Sequence, residues 1–380
     1  MTLFILSGRE LLKLAIMVLI TTVLFGLAGL FSILIMQWMT LQSYAIEGLN
    51  KHGISEVKAS RLGGVAIAVA VIISGVYLSM IGVRGDFERS YLGIFWPGWL
   101  AALGCFLLGL CEDIKNNSLS PKLRLASKTL ILLLVFLWTP GIIASNIGVP
   151  GVDWLLGLPL VGLLTCLFFS VGFINAVNTV DGANGLVSGI FVTSCYIFSQ
   201  EIGSLALIAG VYSVGVFFIF NVISGRLFLG DAGSYGLGAA MLIAALASFN
   251  LGLVSLPFLA ALFFYPCVDF SVSILRRFLA GRSITAPDND HLHNKVHAFF
   301  KSRLRSKNMA NSLTGVSIAG GTSGLVLVVY VCGLFPANSN LWLWVFIAQC
   351  GLYGVVAIAA DAAVRNARSK AIQRAPSPSN

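Results

Sequence analysis

The chain has few charged residues. Only 10% of its 380 residues are Asp, Glu, Lys or Arg, and 57% are apolar, whereas an average soluble domain is roughly 25% charged. With a mean hydropathy of +0.91, this composition excludes a soluble domain, a disordered chain and a coiled coil. The seven cysteines form no CxxC pair, so neither a disulfide framework nor a thiolate metal site is indicated.

Long runs without any charge predict the fold. Nine such runs hold 19 to 53 residues each, the longest being 232–268 and 308–360. A bilayer core about 30 Å thick needs roughly 20 helical residues, so seven runs fit one span and the two longest fit a pair each. We predict an all-α, polytopic membrane protein with about eleven transmembrane helices. It forms one domain over 1–380, with a basic, polar cytoplasmic tail at 365–380.

The distribution of Lys and Arg predicts the orientation, because both favour cytoplasmic segments. With the N-terminus outside, the predicted cytoplasmic segments hold twenty of the 24 basic residues and the outer segments hold four. The C-terminus then lies in the cytoplasm. The net charge of +9 follows from this topology, so we expect no nucleic-acid partner.

Two polar segments on the predicted cytoplasmic face predict a cation site. The segment NAVNTVDGANG at 175–185 follows an apolar run, and GDAGS at 230–234 leads into another. Carboxylate and amide oxygens suit Mg²⁺, which usually takes one or two protein ligands besides phosphates and water. Glycines let the backbone approach a ligand. The alternative for 175–185 is an ordinary helix-capping turn.

Two further segments carry acids beside bases on the same face. Glu112 and Asp113 are adjacent, which can raise the pKa of one of them and suit it to proton transfer, and Arg124 follows. The alternative is a solvated turn. Three of the four histidines fall within 291–297, which favours phosphate binding over a zinc site or a plain surface loop. Asp269 lies inside a predicted span, and we expect a structural pairing with Arg276 two turns along the same helix.

In this order and on these segments, the motifs resemble the polyprenyl-phosphate N-acetylhexosamine-1-phosphate transferases of glycosyltransferase family 4. The resemblance covers residues 60–300 and begins with RLGG at 61–64. The family's DD pair is Glu112-Asp113 here, its DGxDG is DGANG at 181–185, and its HxHH-like end is HLHN at 291–294. The resemblance implies that Asn178 and Asp231 hold Mg²⁺ (or Mn²⁺).

The resemblance also assigns roles to the remaining site residues. Asn184 is expected to meet the uracil, and the histidine segment the phosphates. The expected catalytic residues are Asp113, Glu112, Asp181, His291 and His293. The expected substrate-binding residues are Asn175, Asn184, Arg124, Arg282, Asp288 and Arg61. Of the acidic pair, we expect Asp113 to carry the essential role and Glu112 to be auxiliary.

The resemblance implies a transferase of the bacterial inner membrane with its active site on the cytoplasmic face. It moves an N-acetylhexosamine 1-phosphate from a UDP-amino sugar to undecaprenyl phosphate within the membrane lipid, which releases UMP and begins a cell-surface glycan; a homodimer is a further expectation. The alternative is a secondary transporter for a nucleotide sugar or an anion. Transporter sites lie near the midplane between repeated halves, whereas these polar residues collect on one face and no internal repeat is visible.

Overall fold

The computed structural model describes residues 7–42, 46–47, 59–83, 88–115, 119–283, 288 and 290–374; for 46–47, 88–97 and 364–374 it describes the backbone alone. Almost all of this chain is helical. The helices are α1 (Gly8–Met39), α2 (Gly63–Met80), α3 (Glu88–Lys115), α4 (Pro121–Trp138), α5 (Pro150–Leu156), α6 (Pro159–Val180), α7 (Leu186–Ile202), α8 (Leu205–Ser224), α9 (Gly230–Asn250), α10 (Leu256–Leu262), α11 (Phe264–Leu279), α12 (Leu292–Lys301), α13 (Lys307–Ala319), α14 (Leu325–Val331) and α15 (Trp342–Arg374).

Three short elements complete the fold. A 3₁₀ turn at Pro140–Ile142 follows α4, and a π turn at Gly320–Gly324 joins α13 to α14. Two strands, β1 (Ile46–Glu47) and β2 (Ala59–Ser60), pair antiparallel between α1 and α2. Of the predicted tail, residues 365–374 continue α15 and 375–380 lie outside the described residues.

The predicted all-α, multi-pass membrane architecture is confirmed. Within the described residues, seven helices are long and apolar enough to cross a bilayer, and α10 with α11, bent by 81° at Phe263, makes an eighth. The helices α3, α4 and α7, of 28, 18 and 17 residues, lie outside that count. Adding them gives the eleven spans of the sequence prediction, which stays a prediction, as does the orientation.

Helix boundaries fall where turn residues predict them. Ser120 caps α4 by accepting a hydrogen bond from the Leu123 N–H, and Pro121 occupies the first helical position, where its missing N–H is not needed. In the two longest uncharged runs the helices also break at turn residues. Helix α9 ends at Asn250, just before Gly252, and the loop between α14 and α15 holds the turn residues at 336–338.

Close backbone contacts bring the starts of α2 and α9 against the end of α3. A Cβ atom built on Gly109 of α3 would lie 2.2 Å from the Asp231 carbonyl oxygen, and one on Gly64 would lie 2.3 Å from the Gly233 nitrogen. No larger residue fits at either position. The three helix ends therefore converge, and the polar residues on them meet.

The chain before α2 is also bonded to the chain before α9. The Ser60 N–H donates to the Arg226 carbonyl (2.9 Å), and the Phe228 N–H donates back to the Ser60 carbonyl (2.8 Å). The Gly64 N–H continues the pattern by donating to the Leu229 carbonyl at 2.8 Å. These bonds fix the position of Arg61, one residue after β2.

Candidate active site

Three charged side chains from α3, α9 and the start of α2 meet at one point. The Arg61 guanidinium lies 3.2 Å from Asp113 Oδ1 and 3.5 Å from Asp231 Oδ2. The Asp113 side chain is wholly buried, whereas that of Asp231 keeps 16% of its surface exposed. Of the two acids, Asp231 is therefore the one that a ligand can reach more easily.

Asp113 holds the first turn of α9. Its Oδ1 accepts a hydrogen bond from the Asp231 N–H (3.0 Å), and its Oδ2 accepts one from the Ala232 N–H (2.8 Å). These N–H groups have no partner within their own helix, and a negative charge at a helix N-terminus is favourable. Both carboxylate oxygens of Asp113 thus contact protein groups, and Asp113 positions Asp231.

The predicted Asn/Asp segment at the end of α6 contacts this cluster from the other side. The Asn178 amide donates to Asp231 Oδ1 at 3.1 Å, so the two predicted metal ligands are neighbours. One turn earlier, the Asn175 Oδ1 accepts a hydrogen bond from the Lys128 ammonium, which lies 4.1 Å from the centre of the Tyr235 ring. Asp181 follows directly after the helix.

Sequence reasoning missed Lys128. It is only 2% exposed, in a helix whose remaining length toward Trp138 is apolar. A buried charge within such a helix costs free energy unless it is paired, and it often marks a functional position. The position of Lys128 next to an apolar run was visible in the sequence. Its partner Asn175 is 47 positions away, so the local sequence pattern could not identify it.

Glu112 has partners of its own. Its Oε1 accepts a hydrogen bond from the Leu119 N–H (2.7 Å), and its Oε2 lies 3.6 Å from Arg124. Glu112 is only 1% exposed. The pair Glu112 and Arg124 therefore ties the end of α3 to the start of α4.

The histidine segment is held by the bent helix α11. The Asp269 Oδ2 lies 2.7 Å from His291 Nδ1, and its Oδ1 accepts hydrogen bonds from the Leu292 N–H (3.0 Å) and the Tyr353 hydroxyl (2.8 Å). The expected pairing of Asp269 with Arg276 is wrong. Asp269 is on the buried face of α11, toward α12 and α15, while Arg276 reaches out to Asp288.

His293 connects this segment to the Asn/Asp segment. The Tyr265 hydroxyl lies 3.1 Å from His293 Nδ1 and accepts a hydrogen bond from the His293 N–H (2.9 Å). A Cβ atom on Gly182 would lie 2.6 Å from His293 Nε2, so glycine at 182 permits this close approach. Burial lowers the pKa of His293 to about 4, and neither the nearby Asp269 carboxylate nor any other group restores it.

The three histidines do not form a zinc site. His291 precedes α12, so its ring stacks parallel on that of His293 with centres 5.4 Å apart, instead of pointing away as two residues on one helix would. Among the described residues, no group of three or more His, Cys, Asp or Glu side chains could hold a metal ion.

Asp288 and Arg282 lie after α11, near the histidine segment along the chain. Burial raises the pKa of Asp288, but hydrogen bonds from Ser273, the Asp290 N–H and Arg276 outweigh it, so this pKa lies well below its ordinary value. Arg282 lies in an exposed turn, where its N–H donates to the Arg277 carbonyl at 2.9 Å.

Asn184, expected at the uracil, lies in a buried polar network. Its amide donates to Asn308 Oδ1 at 3.1 Å, and its Oδ1 lies 3.5 Å from the Asn221 amide. Asn221 also accepts a hydrogen bond from the Gly185 N–H (2.7 Å) and donates to the Leu227 carbonyl (2.8 Å). This network links the Asn/Asp segment to the segment that precedes Asp231. The contact of Asn184 with uracil stays a prediction.

The oxygen atoms around Asp231 fit Mg²⁺. Asn178 and Asp231 supply amide and carboxylate oxygens, and no thiolate or imidazole lies among their bonded neighbours. Mg²⁺ prefers oxygen ligands and takes few from the protein when phosphates provide others. Two neighbouring protein residues with oxygen atoms therefore fit an ion that takes its other ligands from phosphate and water.

Comparison with known proteins shows which sequences this chain is similar to. Residues 95–249 match the model of glycosyl transferase family 4. The chain is 24% identical over 320 residues to a probable undecaprenyl-phosphate N-acetylglucosaminyl 1-phosphate transferase of Bacillus subtilis, covering 80% of each chain. It is 29% identical over 235 residues to an undecaprenyl-phosphate alpha-N-acetylglucosaminyl 1-phosphate transferase of Thermotoga maritima, covering 61% of this chain and 66% of that one.

A third relative carries another amino-sugar substrate in its name. The chain is 25% identical over 284 residues to a phospho-N-acetylmuramoyl-pentapeptide-transferase of Geobacillus kaustophilus, covering 69% of this chain and 83% of that one. The family match spans Asp113, Asn178 and Asp231, which meet in the site. These findings confirm the resemblance that the ordered motifs predict, to the polyprenyl-phosphate sugar-1-phosphate transferases of glycosyl transferase family 4.

Proposed function

We propose that the protein transfers an N-acetylhexosamine 1-phosphate from a UDP-sugar to undecaprenyl phosphate at the cytoplasmic face of a bacterial inner membrane. The observation that carries this proposal is the meeting of Arg61, Asp113, Asn178 and Asp231. Lys128 lies nearby, bonded to Asn175 one helical turn before Asn178. Acids, amides and bases in one place suit a diphosphate and its cation. The names of the similar proteins support undecaprenyl phosphate as the acceptor.

The reaction exchanges one phosphoanhydride for another. An oxygen of the lipid phosphate attacks the sugar-linked phosphorus, the bond from that phosphorus to the UMP oxygen breaks, and lipid-diphosphate sugar and UMP leave. A phosphate monoester is mostly ionised at pH 7, so the attacking group needs little help from a base. Positioning and charge neutralisation dominate phosphoryl transfer.

Each side chain of the cluster has a task in this scheme. Lys128 and Arg61 offset the negative charge of the phosphates, and Asp113 keeps Asp231 in place through two backbone hydrogen bonds. When bound to Asn178 and Asp231, Mg²⁺ would supply Lewis-acid stabilisation of the leaving phosphate. The hydrogen bond from the Asn178 amide to Asp231 Oδ1 holds these two side chains next to each other.

An apolar cavity beside His293 supports a lipid substrate. It has a volume of about 360 Å³ and is lined by Tyr265, Leu292 and apolar side chains of α12, α13 and α15. Tyr265 also contacts His293, which in turn lies against Gly182. A prenyl chain in this cavity would place its phosphate beside the histidines and the Asn/Asp segment.

The test is release of UMP by the purified protein from UDP-GlcNAc and undecaprenyl phosphate. We expect Mg²⁺-dependent UMP release, and we expect Asp231→Asn to reduce it by about 10²- to 10³-fold, on the scale of one lost electrostatic contact at a reacting centre. A transporter would instead carry the intact nucleotide sugar into vesicles without cleaving it. Full turnover in excess EDTA, or in Asp231→Asn, would refute the metal assignment.

A further inference from the structure

Helix α1 is interrupted by a kink at Gly26. The dihedral angles of Gly26, φ 59° and ψ −145°, lie in a region that essentially only glycine adopts. A Cβ atom built on Gly29 would lie 2.1 Å from the Thr21 carbonyl oxygen. In a continuous helix, residues eight positions apart are about 12 Å apart along the axis. The arm 27–39 therefore packs back along the arm 8–25.

The reversal lies inside the apolar layer. The Phe25 ring is centred 5.2 Å from that of Tyr212, and a Cβ atom on Gly26 would lie 2.4 Å from the Tyr77 hydroxyl. Tyr77 is about 21 Å along α2 from the end that carries the candidate active site, and Tyr212 is about 18 Å from the corresponding end of α8. The bend therefore stops short of the far side of a core about 30 Å thick.

Both ends of α1 return to the same place. The Glu10 carboxylate lies 3.0 Å from the Arg226 guanidinium, and Ile46 pairs in β1 with Ser60, whose N–H bonds to the Arg226 carbonyl. A straight α1 would carry Met39 about 44 Å from Glu10. The seven residues from Met39 to Ile46 span at most about 25 Å, which is less than that helix length. If α1 is a hairpin, Met39 already lies near Glu10, and the segment to Ile46 need not be extended.

We propose that α1 is a re-entrant helical hairpin, with both ends on the membrane face that carries the candidate active site. The hairpin adds no crossing, so the orientation of all later spans is unchanged and ten crossings follow. The start of α1 moves from the outer side, where the basic residues predicted it, to the cytoplasmic side. Arg9 and Lys13 then join the cytoplasmic set, and the outer segments keep only Arg84 and Arg89, which sharpens the positive-inside bias.

The hairpin also stabilises the segment that leads into the candidate active site. Arg226 begins the segment 226–229, which bonds to β2 and leads into Asp231. Glu10, held by a capping box with Ser7, fixes Arg226 from the start of α1. The proposal rests on backbone geometry and this ion pair and is independent of the proposed chemistry.

Cysteine labelling decides the position of the start of α1. A Cβ atom on Gly8 meets nothing within 4 Å, so Gly8→Cys should leave the fold intact, in a full-length background whose exposed cysteines are replaced by Ser. A membrane-impermeant maleimide is applied to sealed inside-out vesicles, before and after permeabilisation. Ser302→Cys, between α12 and α13, reports the active-site face, and Asn338→Cys, between α14 and α15, reports the opposite face.

We expect Gly8→Cys to react before permeabilisation, as Ser302→Cys does. Reaction only after permeabilisation, as for Asn338→Cys, would overturn the hairpin. A second variant tests the reversal itself. Gly26→Ala should lower the thermal midpoint of the purified protein, while Gly75→Ala, where a Cβ atom meets nothing within 4 Å, should not. Equal midpoints for both variants would refute the reversal.

Discussion

Replacing Asp113 with Asn removes one acceptor from a carboxylate that uses both of its oxygens. Asp113 accepts the N–H groups of Asp231 and Ala232 at 3.0 and 2.8 Å, and Asn offers one oxygen for two donors. A buried donor left without a partner costs about 1–3 kcal/mol. Loss of the negative charge at the start of α9 adds about 0.3–1 kcal/mol, and the ion pair with Arg61 disappears.

These two costs sum to roughly 1–4 kcal/mol of lost stability, and the loss falls on the turn that positions Asp231. A displacement of about 1 Å in a positioned reaction can cost on the order of 10²-fold in rate. We expect Asp113→Asn to lower both the thermal midpoint and the turnover number, the latter by about 10²-fold, with a smaller change in the KM for UDP-sugar.

The matched control is Glu112→Gln on the neighbouring residue. Gln keeps an oxygen for the Leu119 N–H. The contact to Arg124 is long, at 3.6 Å, and the Arg124 side chain keeps 24% of its surface exposed, so its charge stays hydrated when Glu112 becomes neutral. We expect turnover within a few-fold of wild type. The measurements are UMP release over a range of UDP-sugar concentrations, and thermal unfolding in detergent. An inactive Glu112→Gln beside an active Asp113→Asn would refute the reasoning.

Three further predictions concern the contacts around the cluster. Gly182→Ala places a methyl group 2.6 Å from His293 Nε2, so turnover should fall by about tenfold or more. The control Gly172→Ala, whose methyl group meets nothing within 4 Å, should leave turnover unchanged. Equal activities of the two variants would contradict the close approach of Gly182 and His293. Burial lowers the pKa of His293 to about 4, so the unfolded chain binds a proton below pH 6.5 that the folded chain does not. Stability should therefore fall by roughly 3 kcal/mol between pH 6.5 and 4, and thermal midpoints in His293→Gln should depend less on pH in that interval; an unchanged pH profile would oppose this. Lys128→Met removes the ammonium that bonds to Asn175 and should reduce turnover by about 10²-fold. The control Lys122→Met, on the exposed start of α4, should leave turnover unchanged. Similar UMP release by both variants would exclude the role of Lys128.

The sequence could predict the convergence of Arg61, Asp113, Asn178 and Asp231. Charges are so scarce in this chain that each acid near a predicted helix end is informative, and those ends fall on one predicted face. The structure brings Arg61, Asp113 and Asn178 within hydrogen-bonding or ion-pairing distance of Asp231. The helical membrane architecture was predictable for the same reason, because long uncharged runs must be buried in lipid or protein.

Pairings across the chain could not be predicted. Asp269 has a basic residue two turns along its own helix, yet its partners are His291, 22 positions away, and Tyr353, 84 positions away. Local spacing does not reveal which helix packs against the buried face of α11. The Asn184, Asn221 and Asn308 network likewise depends on the packing of α8 against α13.

The reversal within α1 was hidden for a different reason. The uncharged run 14–46 is longer than one transmembrane helix needs, so a single span explains it. A glycine such as Gly26 can allow either a bend or a close contact with another helix, and the neighbouring sequence does not show which. Only the backbone angles of Gly26 and the contact of Gly29 with Thr21 reveal the turn.

The central claim is that the bond broken lies between the two phosphates of the nucleotide sugar. The purified protein is incubated with Mg²⁺, undecaprenyl phosphate and UDP-GlcNAc that carries radioactive phosphorus in the sugar-linked phosphate. The account predicts that the label moves into the lipid fraction and that unlabelled UMP is released in equal amount. Label recovered in UDP, or in unreacted UDP-GlcNAc when the same preparation binds both substrates, would contradict it.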